Sequence, residues 1–586
     1  MKPNKIKRKY SNPSLMGAIR ILLFLSIICL SCNEDEWLRE IPKDFLAPEI
    51  AFVTYDDFFS ANTTLYHRYM EGFWNSSGST DFPYQGFRGT ELVYGVSRAA
   101  LMNYTGTFVR PESELPYVQM WKPAYHLIYD ANVVIGRSDG PYSELSEQEK
   151  LKIKAEAKFF RGLAYKMLAN KYGGVPIVLE ETTEPKRDYV RASREEVYEQ
   201  CILDLKFAAE NLLGIDEVDN SRVNNLVAYH VLSEIYISLE QWQDAIDAAT
   251  MVIDHPGMAL MTERFGVDTD PEKVRFPVPF NDTVYGGDVY WDLFRPGNQN
   301  RKDGNTEALW VGQYAVDVPG GAGGGAVLER QVAPRTTHFA VINEDGRAVP
   351  IVPHPNTYIT GRGIGGLRPT NYFLWDIWHK SGYNLDIRNS KYNIIRDVPV
   401  MNPASEHFGK WVFKDSVPAR LNSEVDTTRN WYPIIAKSVS TGRHPEFLFH
   451  SDQTVPGSLT SQARLTYRDN YIYRLAETYL LRAEAYLGNN NLIDAAADIN
   501  VVRRRANAPE VTPSEVDIDY ILDERLRELH FEEFYILTLM RLGMLVERTN
   551  KYNPLLGYGD HQNLYPIPVS EIEKNTGAKL EQNPGY

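Results

Sequence analysis

The sequence predicts a mainly α-helical protein in which tetratricopeptide-like helical repeats form an α-superhelix that carries a large loop-rich insertion. Three observations predict it. In the stretch 471–509, apolar residues fall at Ile472, Leu475, Ala476, Tyr479, Ala483, Tyr486 and Leu487, and then Ala495, Ile499, Val502 and Ala506 form a second stripe, which is the spacing of two helical faces. Between them Gly488-Asn489-Asn490-Asn491 supplies a stop and capping side chains, so the two helices lie antiparallel, and alanines at the crossing allow close approach. A second hairpin over 228–253 matches the first when shifted by 250 residues, pairing Glu234 with Glu484, Tyr236 with Tyr486, Asp244 with Asp494 and Ala245 with Ala495. Residues 256–470, rich in Pro, Gly and aromatics, separate the two and lack helical period. Repeats of this kind bury their faces only against neighbours, so both ends of the chain are expected in one body that the insertion decorates.

The elements follow in order. Residues 1–31 hold six basic side chains and no acidic ones, with an apolar run from Ile21 to Leu30 that is too short to span a bilayer, and so read as an export signal. Ser31 before Cys32 resembles a lipobox, which makes Cys32 the acylated first residue of the mature chain. Thr54 with Asp57 caps a helix running toward Met70. An aromatic-rich loop region fills Phe73–Tyr104. Helices return at 117–135 and 147–170, and Ser193 with Glu196 forms a capping box for a helix through Asn211.

Charge and residue chemistry exclude several functions. Without residues 1–31 the chain keeps 56 basic against 77 acidic residues, a charge of −21, which disfavours nucleic acid and anionic membrane surfaces. Contact with the membrane is then expected only through the lipid anchor. Cys201 shares a helical stripe with Val197, Ile202, Leu205 and Ala208 and reads as a buried, inert thiol. Gly361-x-Gly363-x-x-Gly366 has the spelling of a dinucleotide fingerprint but runs into Arg368-Pro369 with no helix behind it. Gly320–Gly325 lacks the Gly-Lys-Ser/Thr of a phosphate loop. His444-x-Glu446-x-x-x-His450 lacks HExxH spacing and reads as a strand. No cofactor is expected. The only metal candidates are the calcium-type oxygens of Asp216, Asp219 and Asn220, or of Asp268 and Asp270, which read as solvated turns. The acid pairs Glu524/Glu528 and Glu477/Glu484 sit beside Arg525, Arg527 and Arg482, so interhelical ion pairs account for them and no enzyme activity is expected.

Aromatic residues make up 12% of the chain, and many stand outside amphipathic helices, in Gly- and Asn-rich loops. Trp74, Tyr84, Tyr285, Tyr290, Trp291, Trp310 and Tyr314 are of this kind. Such rings either anchor loops to the core or stack on the C–H face of a sugar while Asn, Asp and Arg bond its hydroxyls.

Several segments carry a family resemblance. Leu475-Ala476-Glu477, Leu481 with Ala483-Glu484-Ala485, Ile499-Asn500, Val502-Arg503-Arg504-Arg505-Ala506, Asp523-Glu524-Arg525 with Glu528-Leu529 and Phe531-Glu532, Tyr565-Pro566-Ile567-Pro568 with Glu571-Ile572, and the end Gln582-Asn583-Pro584-Gly585-Tyr586 resemble, in order, the C-terminal motifs of the SusD/RagB family of Bacteroidetes surface lipoproteins. The family's F-E-G-x-R-W-x-D-L is only partly kept, with Glu533, Tyr535, Ile536 and Thr538 at four of its positions. The acidic Asn33-Glu34-Asp35-Glu36 is similar to the tract after the lipid cysteine in surface-exposed members, and Asn305 with Glu307-Ala308-Leu309-Trp310 resembles a further family element.

The resemblance implies a non-enzymatic, lipid-anchored protein of the cell surface. It would capture an oligosaccharide on aromatic loops, with Trp74, Tyr84, Tyr290, Trp291, Trp310 and Tyr314 as ligand contacts, and pass it to a SusC-like TonB-dependent outer-membrane transporter. A RagB-like peptide-binding subunit and a ligand-free helical scaffold are the alternatives. The implied organisation is a signal peptide at 1–31, an N-terminal helical part at 32–255, a ligand-facing insertion at 256–470 and a C-terminal helical part at 471–586.

Overall fold

The computed structural model describes residues 51–74, 86–94, 109–114, 117–413 and 429–586. The signal segment, Cys32, the acidic tract and Tyr84 lie outside them. Of the unit Met1–Val53 only 51–53 are described, as a bend, and Thr54–Tyr586 form the second unit.

Side chains that satisfy free backbone N–H groups fix where the helices start. Thr54 accepts from the Asp57 amide and Asp57 from the Thr54 amide, opening α1 (Tyr55–Phe73). Helix α2 (Lys122–Ser138) follows a π-turn at Tyr117–Trp121 and carries proline in its first turn, where no hydrogen bond is lost. Reciprocal caps from Ser146 with Glu149 and from Ser193 with Glu196 open α3 (Glu147–Tyr172) and α4 (Arg194–Asn211). Next come α5 (Asn225–Ser238) and α6 (Trp242–Ile253), and, after the insertion, α7 (Leu475–Gly488) and α8 (Leu492–Arg505). The bounds of α7 and the start of α8 lie 250 residues beyond those of α5 and α6, and the turns repeat the left-handed backbone at Glu240 (φ 57°) and Asn490 (φ 58°).

The helices pack in sequence from α1 to α6, and α7 lies directly against α6. Helices α9 (Ile518–Leu529), α10 (Tyr535–Arg541) and α11 (Leu545–Tyr552) complete this body, with α9 against α7 and α10 against α3. Its C-terminal core joins Ala476, Leu480 and Ala483 to Ala495, Ile499 and Val502 and to Ile521 and Leu529. Each fully buried large aliphatic side chain there contributes about 1.5–3 kcal/mol. The fold is mainly helical, with a few two-stranded sheets.

Two expectations need correction. Ile472 does not belong to a helix: Asn470–Arg474 is a buried strand, antiparallel to Ala308–Gly312 with Tyr471 opposite Val311. Tyr471, Ile472 and Tyr473 favour a pleated, two-sided burial, and the helix begins only at Leu475. Residues 446–450 form a turn at Glu446–Leu448 where a strand was expected, and only Phe449 makes an extended bridge, to Leu459.

The insertion owns a separate core built around Trp291, Phe339, Trp431, Ile351, Val400 and Ile434, in which the Phe339 and Trp431 rings stack 4.4 Å apart. Buried charges tie it to the helices. Glu524 accepts from Arg388 (2.7 Å), Arg503 (2.8 Å) and Arg527 (2.9 Å), while Glu528 accepts from Arg388 (3.1 Å), Arg474 (2.9 Å) and Arg505. Glu307 and Asp386 bring acids from the insertion, and Lys437 reaches Glu532 at 2.5 Å. Burial alone would raise the carboxyls of Glu524 and Glu528, but the surrounding guanidiniums hold both well below the usual carboxylate range. These acids are therefore spent on structure. Glu477 pairs with Arg525 and Glu484 with Arg541, whereas Arg482, expected to serve one of them, binds Asp498. Cys201 is buried, and burial pushes its thiol far above its ordinary value. Among the described residues no helix is long and apolar enough to cross a membrane.

Candidate functional site

The insertion holds a cleft of about 450 Å³, built from short, irregular strands. A tight hairpin over 274–285, closed by Phe276 N–H to the Thr283 carbonyl (3.0 Å) and Tyr285 N–H to the Val274 carbonyl (2.8 Å), sets Phe276 and Tyr285 side by side. Their rings meet edge to face at 5.6 Å. Asp397–Pro399 pairs antiparallel with Trp411–Phe413, Pro399 opposite Trp411, and this register brings the indole edge-on to Phe276 at 5.5 Å and to Phe280 at 5.4 Å. Tyr358 completes the wall, 5.9 Å from Tyr285 and 6.3 Å from Phe276. Tyr358 and Trp411 are half-buried, so part of each ring faces the cleft, while Tyr285 is buried behind them and its hydroxyl is pushed up to about 12 by burial.

Polar groups line the remainder: Asn384, Asn389, Lys391, Arg396 and Asp397. Arg396 is fixed by donating to the Leu374 carbonyl (2.9 Å) and to Asn389 Oδ1 (2.7 Å), with its guanidinium over Trp375 and Tyr383 at 4.5 and 5.3 Å. Lys391 and Asn384 are exposed at the mouth. Apolar ring surface facing amide, ammonium and carboxylate groups suits a ligand that has both C–H faces and hydroxyls. A second hollow of about 370 Å³ lies on the helical body between Trp121 of the π-turn, Tyr125 and Tyr129 of α2, Tyr189, and the segment Glu571–Leu580.

The sequence singled out different rings, and the structure places them elsewhere. Trp74 is buried, with its Nε1–H toward the Tyr69 hydroxyl (3.4 Å) and its ring 4.8 Å from Phe534. Trp310 is buried at the junction of strand and helices, donating to the Ser221 carbonyl (2.9 Å) and stacked on Tyr69 at 5.1 Å. Tyr290 is buried and donates to the Glu528 carbonyl (2.7 Å), and Trp291 lies beneath the Arg295 guanidinium (4.2 Å) with its edge toward Tyr285. Tyr314 is half-buried, its amide donating to Asp469 (2.8 Å). As placed, Trp74, Tyr290, Trp291 and Trp310 do not present a face to a ligand, because each ring fills a core contact or completes a buried hydrogen bond. Of the described aromatic residues named from sequence, only Tyr285 lines the cleft. Phe276, Tyr358, Tyr383 and Trp411 were missed, and their one signal is an aromatic within three residues of a proline or glycine, which many other rings share.

Of the calcium-type residues, Asp268 and Asp216 are paired with arginines of the chain itself, and Asn220 and Asp270 accept from backbone amides. Asp268 accepts two hydrogen bonds at 2.9 Å from Arg295 and others from Arg443, Asp216 accepts from Arg301 (3.0 Å), and Asn220 Oδ1 from the Arg301 amide (2.9 Å). Asp270 caps the turn Pro271–Lys273. His444 contacts Glu329 (2.9 Å), and His450 stacks on His354 at 4.3 Å, so the two imidazoles serve separate contacts.

Comparison with known proteins fits this architecture. The SusD family model matches residues 358–586, and a related model described as "Starch-binding associating with outer membrane" matches residues 97–237. "SusD-like protein P25" of Formosa agariphila is 23% identical over 95% of this chain and 96% of its own length. The chain is a SusD-like family protein. "Starch-binding protein SusD" of Bacteroides thetaiotaomicron is 36% identical over 138 residues, which cover 22% of this chain and 24% of that protein. Among solved structures, a "Laminarin binding SusD-like protein" aligns with a TM-score of 0.62 at 20% identity, covering 91% of this chain and 100% of that one. "Surface glycan-binding protein A from Bacteroides thetaiotaomicron in complex with laminarihexaose" aligns at 0.61 and 18% identity, with 91% and 100% covered. The SusD-like fold is thus found over nearly the whole chain.

Proposed function

We propose that this SusD-like protein is a surface glycan-binding lipoprotein, without catalytic activity, that captures an oligosaccharide and delivers it to a SusC-like TonB-dependent transporter. The observation that carries the reading is the ring-walled cleft of the insertion, where Tyr358 and Trp411 offer apolar surface opposite Asn384, Lys391 and Asp397. Relatives named for starch, laminarin and surface glycans support the ligand class. In this reading residues 256–470 carry the ligand face, the helices of 32–255 and 471–586 meet the transporter, and lipid on Cys32 is the sole membrane attachment. The rings that bind are those of the cleft and not the buried set named from sequence.

Calorimetric titration of residues 33–586 against neutral and acidic oligosaccharides and mixed peptides tests this directly. Saturable binding of a glycan is expected, weakened about tenfold (~1.4 kcal/mol) by Tyr358→Ala or Trp411→Ala without a matching loss of melting temperature. Binding of peptides alone would replace the glycan reading with a peptide-capturing one, and silence across the panel would leave a helical scaffold.

A further inference from the structure

The Gly361–Gly366 run does not cradle a phosphate at a helix start, and its glycines instead let three backbone segments cross at close range. A Cβ on Gly363 would lie 2.2 Å from the Pro334 carbonyl oxygen, and Gly365, at φ +62°, passes so close to Arg429 that its Cβ would stand 2.6 Å from that carbonyl. Hydrogen bonds lock the crossing: Ile364 N–H to Arg330 O (2.7 Å), Gly365 N–H to Ala333 O (2.9 Å), Leu367 N–H to Gln331 O (2.8 Å) and Arg335 N–H to Arg429 O (2.9 Å). Arg335 in turn opens the short turn Thr336–His338, in which the His338 amide donates to the Arg335 carbonyl (2.9 Å).

The consequence is a concentration of positive charge. Arg335, His338 and Arg429 lie within electrostatic range of one another, and Arg330 stands at the same crossing. Among the described residues none of the four has a carboxylate partner, and the Nε atoms of Arg330 and Arg335 are buried without any acceptor. By contrast, the arginines around Glu524, Glu528 and Asp268 are matched to acids. The imbalance also runs against a formal net charge of −15. Burial and the neighbouring Arg429 lower the Arg335 guanidinium, and burial with both arginines lowers His338, as expected for like charges held together without a counter-ion.

We propose that Arg335, His338 and Arg429 form a binding site for an oxyanion, the carboxylate or sulfate group of an acidic glycan or a free inorganic oxyanion. Planar guanidinium forks match the paired oxygens of either group, and His338 adds a further donor from the exposed side. None of the three lines the cleft, so this site stands apart from the proposed sugar platform.

The test is titration of residues 33–586 at low ionic strength with sodium sulfate, sodium phosphate, and a uronate-bearing oligosaccharide alongside its neutral counterpart. Wild-type protein is expected to bind oxyanions saturably. The double variant Arg335→Gln/Arg429→Gln should bind at least tenfold more weakly, while the charge control Arg504→Gln should bind as wild type. The double variant should melt no lower than wild type, since it relieves repulsion; were it to unfold, Arg429→Gln alone carries the comparison. Tighter binding of the acidic oligosaccharide than of free sulfate assigns the site to a glycan, and equal binding assigns it to the free ion. Absence of saturable oxyanion binding, or equal binding by wild type and the arginine variants, would overturn the proposal.

Discussion

Lys171 shows how a single buried charge sets a pH dependence. It sits at the end of α3, 1% exposed, with its ammonium 4.6 Å from the Tyr565 ring centroid, and burial pulls it down to about 7. Its folded pKa thus lies below the unfolded value of about 10.4, so the folded state releases a proton that the unfolded chain keeps. The cost to stability is full below pH 7 and disappears as pH rises toward 10. Lys171→Met should therefore raise the urea midpoint at pH 6, by on the order of 3 kcal/mol in unfolding free energy, and give no gain near pH 10.5. Denaturation curves at the two pH values check it, and a gain independent of pH would show that packing, not charge, is responsible.

At the scale of elements, local chemistry made most of the helical body legible. The caps at Thr54, Ser146 and Ser193, and the stop at Gly488-Asn489-Asn490, depend on neighbours within three residues, so the sequence contains everything that decides them. The strand Asn470–Arg474 and the cleft rings do not have this property. Tyr473 becomes a strand residue because Trp310, more than 160 positions away, lies opposite it, and Trp411 faces a cleft because Asp397–Pro399 selects its register. Loop aromatics such as Trp74 and Trp310 look identical in sequence whether they anchor a loop or meet a ligand. The repeat itself yields a prediction. The turn residue of the second hairpin is Asn490, which tolerates left-handed backbone, but its counterpart in the first is Glu240, exposed at φ 57°. Glu240→Gly should stabilise the protein by about 0.5–1 kcal/mol, read as a raised melting temperature, while Asn490→Glu should lower it. No change at either position would mean that these turns relax freely.

At the scale of the whole molecule, the core of the insertion and that of the C-terminal helices are joined through buried ions, and Arg388 is the point at which that join can be tested. Its guanidinium comes from the insertion, carries Asp386 with it, and ends on Glu524 and Glu528 of α9, all four side chains being inaccessible to solvent. A well-packed apolar replacement of an entire buried network can be neutral, but removing one cation leaves acids desolvated and short of a partner. Arg388→Met is therefore expected to cost about 3–5 kcal/mol and to separate a single calorimetric transition into two, the insertion melting before the helices. Acid should act on the same join. Because Glu524 and Glu528 are held below the ordinary carboxylate range, their contribution is complete above the unfolded value of about 4.3 and is lost as pH falls toward the depressed folded values. Wild-type stability should fall steeply below pH 4, and the fall should be shallower in Arg388→Met, whose acids start closer to their unfolded affinity for protons. Calorimetry of both proteins between pH 3 and 7 decides the matter: a single unshifted transition in the variant would mean that the apolar contacts alone couple insertion to helices.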